Sequence, residues 1–482
     1  MEPARGDEAS VRTEPALAVR TADVEAVSAR AFFDAARPAN ERAASGERVA
    51  EPRVVWRTPE SGYVAACGVT ATCETNGPDR FASVRERAHE LFTTLETGPG
   101  FDPDADFDPD PDLDADSGSS DIDTDADVPY AARPRLFGGF SFFSDAHESP
   151  WQAVPDARFV LPAVQLVSTA EGTWLTVTGD RSTINSRLSD WRDRLASASE
   201  PGAGKSPAIS HVERTTSRAA WYDQVETALS RIDGGSLRKV VLAQSLSATL
   251  DESIEVPEAL SRLAGSYPEC FVFSVPVDGG SRDFFGATPE RLVSVRGREV
   301  ETGALAGSVE RGETDAVDAR LARQLTESEK NDHEHALVAN AVREQLAPLS
   351  RSVSVGDRTV RKLATVQHLF TPIEADLAGN EHVLSLVEAL HPTPAVGGLP
   401  PDAAAETIRE IETFDRGWYA APVGWFDAAG DGTFAVAIRS AVAESETATL
   451  FAGNGIVAGS DPAEEWKEVQ LKYRPVLDAL GL

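Results

Sequence analysis

Several absences narrow the field before any motif is read. The 482 residues contain three cysteines, Cys67, Cys73 and Cys270, and no Cys-x-x-Cys pair. Neither a disulfide framework nor a zinc ribbon is therefore expected. Basic charge is scarce: Lys and Arg number 45 against 78 Asp and Glu, and only six of the 45 are lysine. A formal net charge of −33 makes nucleic acid a poor partner. No uncharged apolar run approaches the roughly 18 residues of a membrane helix. The first residues carry no apolar core of a secretory leader, which points to a cytoplasmic protein. The 41% hydrophobic content still suffices for a large core or two lobes.

The acidity is widespread. Twelve Asp crowd residues 101–128 without one Lys or Arg, yet removing them leaves −21 of the −33. Such a surface suits a halophilic cytoplasm, where molar salt screens the repulsion. Composition at 101–128 is Asp, Pro and Ser, too polar to bury a core, so a disordered acidic insert is expected.

Along the chain, residues 1–50 read as a loosely ordered segment, with a helix at 21–36. Residues 51–205 read as an N-terminal α+β part and 210–482 as the catalytic region, divided by a Pro/Gly/Ala hinge at 200–207. Hairpin patterns occur at 53–70 and 159–179. Helices are expected at 79–94 and 221–232, with a long one at 314–346 broken near Glu329. Strands are expected at 135–143, 237–244, 271–276, 361–372, 418–427, 433–442 and 449–457. Many strands with helices that do not alternate with them predict an α+β fold rather than a doubly wound parallel sheet.

Certain residues interrupt this pattern with chemistry. Lys239 lies in an apolar strand, where it either faces solvent or is desolvated into a usable general base. Glu290 follows Thr288-Pro289 at a strand end, placed to project into a cleft. Glu334 sits between His333 and His335, a spacing unlike that of zinc peptidases. Asp461-Pro462 reads as a helix start, which puts Glu465 and Glu468 on one face. With Glu334 they make three carboxylates, a set suited to Mg²⁺. Arg439 interrupts another apolar strand, where its guanidinium could fork onto a carboxylate. His368 and His391, taken singly, read as core histidines.

Nine motifs in order resemble those of the chorismate-utilising enzymes. They are Lys239-Val-Val-Leu-Ala, Gly286-Ala-Thr-Pro-Glu-Arg-Leu, Ala304-Leu-Ala-Gly-Ser308, Glu334-His335, Val366-Gln-His-Leu, Leu390-His-Pro-Thr-Pro-Ala-Val-Gly-Gly398, Arg416-Gly-Trp-Tyr419, Ala437-Ile-Arg-Ser440 and Gly453-Asn-Gly-Ile-Val457. The resemblance is dense over 217–480 and loose before it, carried there by Phe137-Gly-Gly-Phe-Ser-Phe-Phe143. It implies two subdomains whose antiparallel sheets pack around a central cleft, with helices outside. It implies Lys239 as the base that activates water and Glu290 as the acid that protonates the leaving hydroxyl. Glu334, Glu465 and Glu468 would hold Mg²⁺. Gly307, Ser308, His368, Tyr419, Arg439 and Gly453 would bind chorismate.

Ammonia-using members typically carry Gln where Lys239 stands, so the implied nucleophile is water. The expected activity is the isomerisation of chorismate to isochorismate, for menaquinone formation, by a monomer with no glutaminase subunit. Salicylate formation is the alternative, and anthranilate formation a further one. The chain departs from the family pattern at Gln244, where Arg is common, and at Asn454, where Ala is common. Asn454 is expected to add a polar contact to substrate.

Overall fold

The structure is a computed structural model, and it describes residues 17–37, 52–59, 62–96, 129–145, 147–202 and 207–481. The insert at 101–128, most of the segment 1–50 and residues 203–206 of the expected hinge lie outside the described residues.

The sheet forks at one strand, Ala157–Ser168, eleven of whose twelve residues are buried. One side pairs with Tyr63–Thr75. The other pairs with Leu136–Phe140 through its first half and with Thr173–Asp180 through its second. Two arms grow from the fork. The first runs from Tyr63–Thr75 through Arg53–Arg57, Phe271–Pro276, Arg282–Thr288, Ser440–Glu444 and Thr447–Val457 to Lys239–Leu250. The second runs from Leu136–Phe140 through Pro422–Phe426, Gly432–Val436, Arg291–Arg296 and Glu299–Glu310 to Val366–Leu377. Twenty strands join one sheet among the described residues, and every strand pair is antiparallel.

Aromatic burial holds the fork. Phe140 lies 5.1 Å from Phe159, which in turn lies 5.2 Å from Phe426 and 6.1 Å from Phe434. Each such side chain contributes about 1.5–3 kcal/mol relative to exposure. Gly138 permits the close pairing, because a Cβ there would stand 1.9 Å from the Arg158 carbonyl oxygen.

Two direct steps of the chain connect the arms. Pro289-Glu290 leads from Arg282–Thr288 into Arg291–Arg296, and residues 437–439 lead from Gly432–Val436 into Ser440–Glu444. They are tied to each other. The Val436 amide donates to the Glu290 carbonyl (3.0 Å), and the Thr288 hydroxyl donates to the Val436 carbonyl (2.6 Å).

Helices cover the outside. The expected break at 329 falls at Ser328, between Asp315–Glu327 and Glu329–Leu346, where its side chain accepts from the Asn331 amide. The terminal helix Pro462–Leu480 starts as read: the Asp461 carboxylate accepts from the amides of Ala463 and Glu464.

Four expected elements differ, one being 418–427, where a turn precedes the strand Pro422–Phe426. Residues 21–36 are not one helix: Leu17–Asp23 anneals as a strand onto Thr173–Asp180, and Ser28 caps a short helix, Ala29–Ala36. Edge pairing there overrides helical composition. Residues 361–372 form two strands, Thr359–Lys362 folding back on Val366–Leu377. The strand expected at 433–442 breaks at 437–439, where Arg439 adopts φ +54°. No helix among the described residues is long and apolar enough to cross a membrane.

Candidate active site

A cavity of about 170 Å³, small-molecule in scale, opens where the two arms meet their connecting steps. The first arm lends Lys239, Val241, Phe451, Ala452, Gly453 and Gly455; the second lends Leu305 to Ser308 and His368. Glu290 and Arg439 enter from the two connecting steps.

Lys239 does not face solvent. It is 2% exposed, and its Nζ lies 2.9 Å from Glu334 Oε1. Room for the amine is made on the neighbouring strand, where a Cβ at Gly455 would stand 2.8 Å from Lys239 Cε and 3.3 Å from Glu334 Oε1. Glu290 is buried, and no described residue hydrogen-bonds its carboxyl. Burial raises its pKa to about 7, although Lys239 and Lys472 pull the other way. The carboxyl therefore keeps its proton up to near neutrality.

Arg439 and Ala420 (φ +61°) both line the cavity with left-handed backbone, at a cost on the order of 1–3 kcal/mol each. Mutual bonds hold the two turns: the Ala420 amide donates to the Ala437 carbonyl (3.0 Å), and the Ala437 amide to the Ala421 carbonyl (2.9 Å). No described residue hydrogen-bonds the buried Arg439 guanidinium, which leaves a fork available to an anion. Beside it, Tyr419 stacks on Phe451 at 5.3 Å. Burial raises the phenol's pKa, so it remains a donor. On the second arm, Ser308 Oγ and His368 Nδ1 are 2.9 Å apart. Burial drives the His368 pKa down to about 3, so the ring is neutral, and its Nε2 is buried with no hydrogen-bond partner. An unsatisfied ring nitrogen at a cavity wall suits a polar ligand atom.

Glu334, Glu465 and Glu468 line the same cavity. Side-chain pairing turns two of them toward amines: Glu334 to Lys239, and Glu468 to Lys472 at 2.9 Å. Glu465 Oε2 accepts from Asn454 Nδ2 at 3.1 Å. Among the described residues no group of three His, Cys, Asp or Glu side chains is gathered tightly enough to hold a metal. The donor chemistry nevertheless fits Mg²⁺, since the three carboxylates line one cavity and offer hard oxygens only. His333 is exposed, and His335 bonds Thr371 Oγ1 at 2.8 Å on the core side, so neither histidine joins them.

Sequence reasoning missed Lys472. Its spacing after Glu465 and Glu468, seven and four residues, placed it on their helix face. Asn454 corrects an expectation: it is 2% exposed and bonds protein groups, Glu465 and Lys472, and is not among the cavity-lining residues. Gln244 is buried with an unpartnered Nε2 and has no place in the cavity. His391 is a core histidine whose Nε2 meets the Phe142 carbonyl at 3.2 Å.

The loop carrying Tyr419 is pinned from both sides. Arg416 forks onto Glu412 and donates to the carbonyls of Val241 and Val396. Asp415 accepts from the Gly417 amide (2.8 Å) and meets His147 Nδ1 (2.8 Å), while His147 Nε2 meets Asp156 (2.9 Å). Burial disfavours the imidazolium, but the bonds and charges of Asp415 and Asp156 outweigh it and raise the pKa above 6.5. A raised pKa means the stabilisation is present below the unfolded value and fades as pH climbs through the folded one. The melting temperature of the protein is expected to exceed that of a His147→Gln variant at about pH 6, with the gap closing by about pH 9. A constant gap across thermal melts would rule out a charged His147.

Known proteins are similar to this chain in sequence and in fold. Residues 116–481 match the family model described as chorismate binding enzyme. The chain is 39% identical over 357 residues to isochorismate synthase MenF of Bacillus subtilis, covering 73% of this chain and 75% of that protein. It is also 39% identical over 363 residues to the salicylate biosynthesis isochorismate synthase of Pseudomonas aeruginosa, covering 72% and 74% respectively. The solved structure of MenF, the menaquinone-specific isochorismate synthase from Escherichia coli, superposes with a TM-score of 0.74 at 22% identity, over 97% of this chain and 95% of that one. Anthranilate synthase component I from Streptococcus pneumoniae has the same fold, with a TM-score of 0.66 at 19% identity over 91% and 95%. With a family match across three quarters of its length and the shared α+β architecture, the chain belongs to the chorismate-binding enzymes.

Proposed function

We propose that the protein is an isochorismate synthase, an isomerase that adds a hydroxyl from water at C2 of chorismate and expels the one at C4. The observation that carries this reading is a single cavity shared by a buried lysine amine and a carboxyl that keeps its proton near pH 7. Lys239 takes a proton from water as its oxygen bonds to C2. The ring double bonds shift, the C4–O bond breaks, and the Glu290 proton leaves with that oxygen as water. The unpaired Arg439 fork and the Tyr419 phenol suit one substrate carboxylate, with the backbone at Gly453 alongside. Gly307, Ser308 and the neutral His368 suit the ring and its hydroxyl. Glu334, Glu465 and Glu468 would hold Mg²⁺, which when bound neutralises and orients the other substrate carboxylate. Water as nucleophile requires no glutaminase subunit, and menaquinone formation is the expected destination of the product.

The test is chromatography of the products from chorismate and Mg²⁺ in molar KCl. Isochorismate alone is expected. Salicylate with pyruvate would move the protein to the alternative activity, and ammonia-dependent anthranilate would remove water from the mechanism. Because Glu290 acts protonated, kcat/KM is expected to fall as pH rises through about 7. Glu290→Gln is expected to lower turnover about 10²–10⁴-fold and to abolish that descending limb. A wild-type profile flat to about pH 9 would contradict the acid role.

A further inference from the structure

We infer that Asn454 is a positioning residue that holds the cation-binding carboxylates ready for Mg²⁺. The inference rests on the carboxylate assignment proposed above. Asn454 lies in Gly453-Asn-Gly455, on the strand Thr447–Val457 facing the terminal helix Pro462–Leu480. It uses both ends of its amide. Nδ2 donates to the Glu465 carbonyl at 2.9 Å and to Glu465 Oε2 at 3.1 Å. Oδ1 accepts from Lys472 Nζ, which also donates to the Gly453 carbonyl at 3.0 Å and pairs with Glu468 at 2.9 Å.

The two ends do different things. The donor end fixes one oxygen of Glu465 and orients the carboxylate. The acceptor end gives Lys472 an anchor that does not depend on Glu468. A cation that takes Glu468 must displace Lys472 from it. With Asn454 present, the ammonium keeps two acceptors, the Gly453 carbonyl and the Asn454 amide oxygen, so its release from Glu468 costs less. Alanine at 454 would strip the donor from Glu465 and one of those acceptors from Lys472. Glu468 would then be the stronger competitor for the lysine, and the cation the weaker.

The experiment is calorimetric titration of the full chain with Mg²⁺ alone, without chorismate, alongside the Mg²⁺ dependence of its melting temperature. Asn454→Ala is expected to weaken Mg²⁺ binding about 10–100-fold, the usual scale for groups that orient metal ligands. Its apparent Mg²⁺ requirement in the chorismate assay should rise by the same factor, with turnover recovered at saturating Mg²⁺. Asn454→Ser retains one polar atom and should fall between the two, which keeps the test open if the alanine variant fails to fold. Mg²⁺ affinity equal to wild type in a folded variant would overturn the inference. No Mg²⁺ binding by the wild-type chain would instead overturn the carboxylate assignment, and the role of Asn454 with it.

Discussion

Lys239→Ala is expected to lower turnover of chorismate by about 10²–10⁴-fold, the range that general acid–base groups supply. The reasoning starts from burial. A lysine 2% exposed within an apolar strand, with a carboxylate 2.9 Å from its Nζ, is held at one point in space. That point is on the wall of the cavity that also carries Glu290. Removing the amine leaves Glu334 without this partner, so binding and chemistry must be separated. Calorimetric titration with chorismate should still show binding to the variant, while product formation falls. Turnover within tenfold of wild type would show that some other group accepts the proton.

Gly455→Ala is the second substitution with a large expected effect, and it is the sharper one because nothing chemical is removed. A methyl at 455 would sit 2.8 Å from Lys239 Cε, closer than such atoms approach. The obstructed atom is near the end of a flexible chain, so the lysine can swing aside at little cost to stability. The amine would then leave its place beside Glu334. Turnover is expected to drop at least tenfold, with a melting temperature within a few degrees of wild type. Full activity with an unchanged melting temperature would mean that the position of the amine is not critical. A collapse of stability would mean that the backbone, rather than the lysine, gave way.

Much of this was legible in the residues. Lys239, Glu290, Glu334, Glu465 and Glu468 each stood out as polar interruptions or paired acids, and all five line one cavity. The helix start at Asp461-Pro462 was legible because capping is local. The strand break at 437–439 was not. Ala-Val-Ala-Ile-Arg-Ser reads as an unbroken apolar strand, and arginine gives no sign of the left-handed backbone that long-range bonds from Ala420 and to Ala421 impose. Residues 21–36 were misread for the same kind of reason: pairing with Thr173–Asp180 is invisible in the local composition. Asn454 was underread because its partners lie on the facing helix, Lys472 being 18 positions further along the chain. The setting of the three acids is likewise a matter of context, since Lys239 and Lys472 pair with two of them.

The bonds between the two connecting steps also bear on inheritance. The carbonyl of Glu290 and the amide of Val436, three residues before Arg439, are fastened to each other. The proposed proton donor and anion fork thus form one mechanical part. A substitution that shifts either drags the other along, so descendants of this chain with altered substrates should change the two segments together, and swapping one segment alone between relatives should yield a folded but silent hybrid.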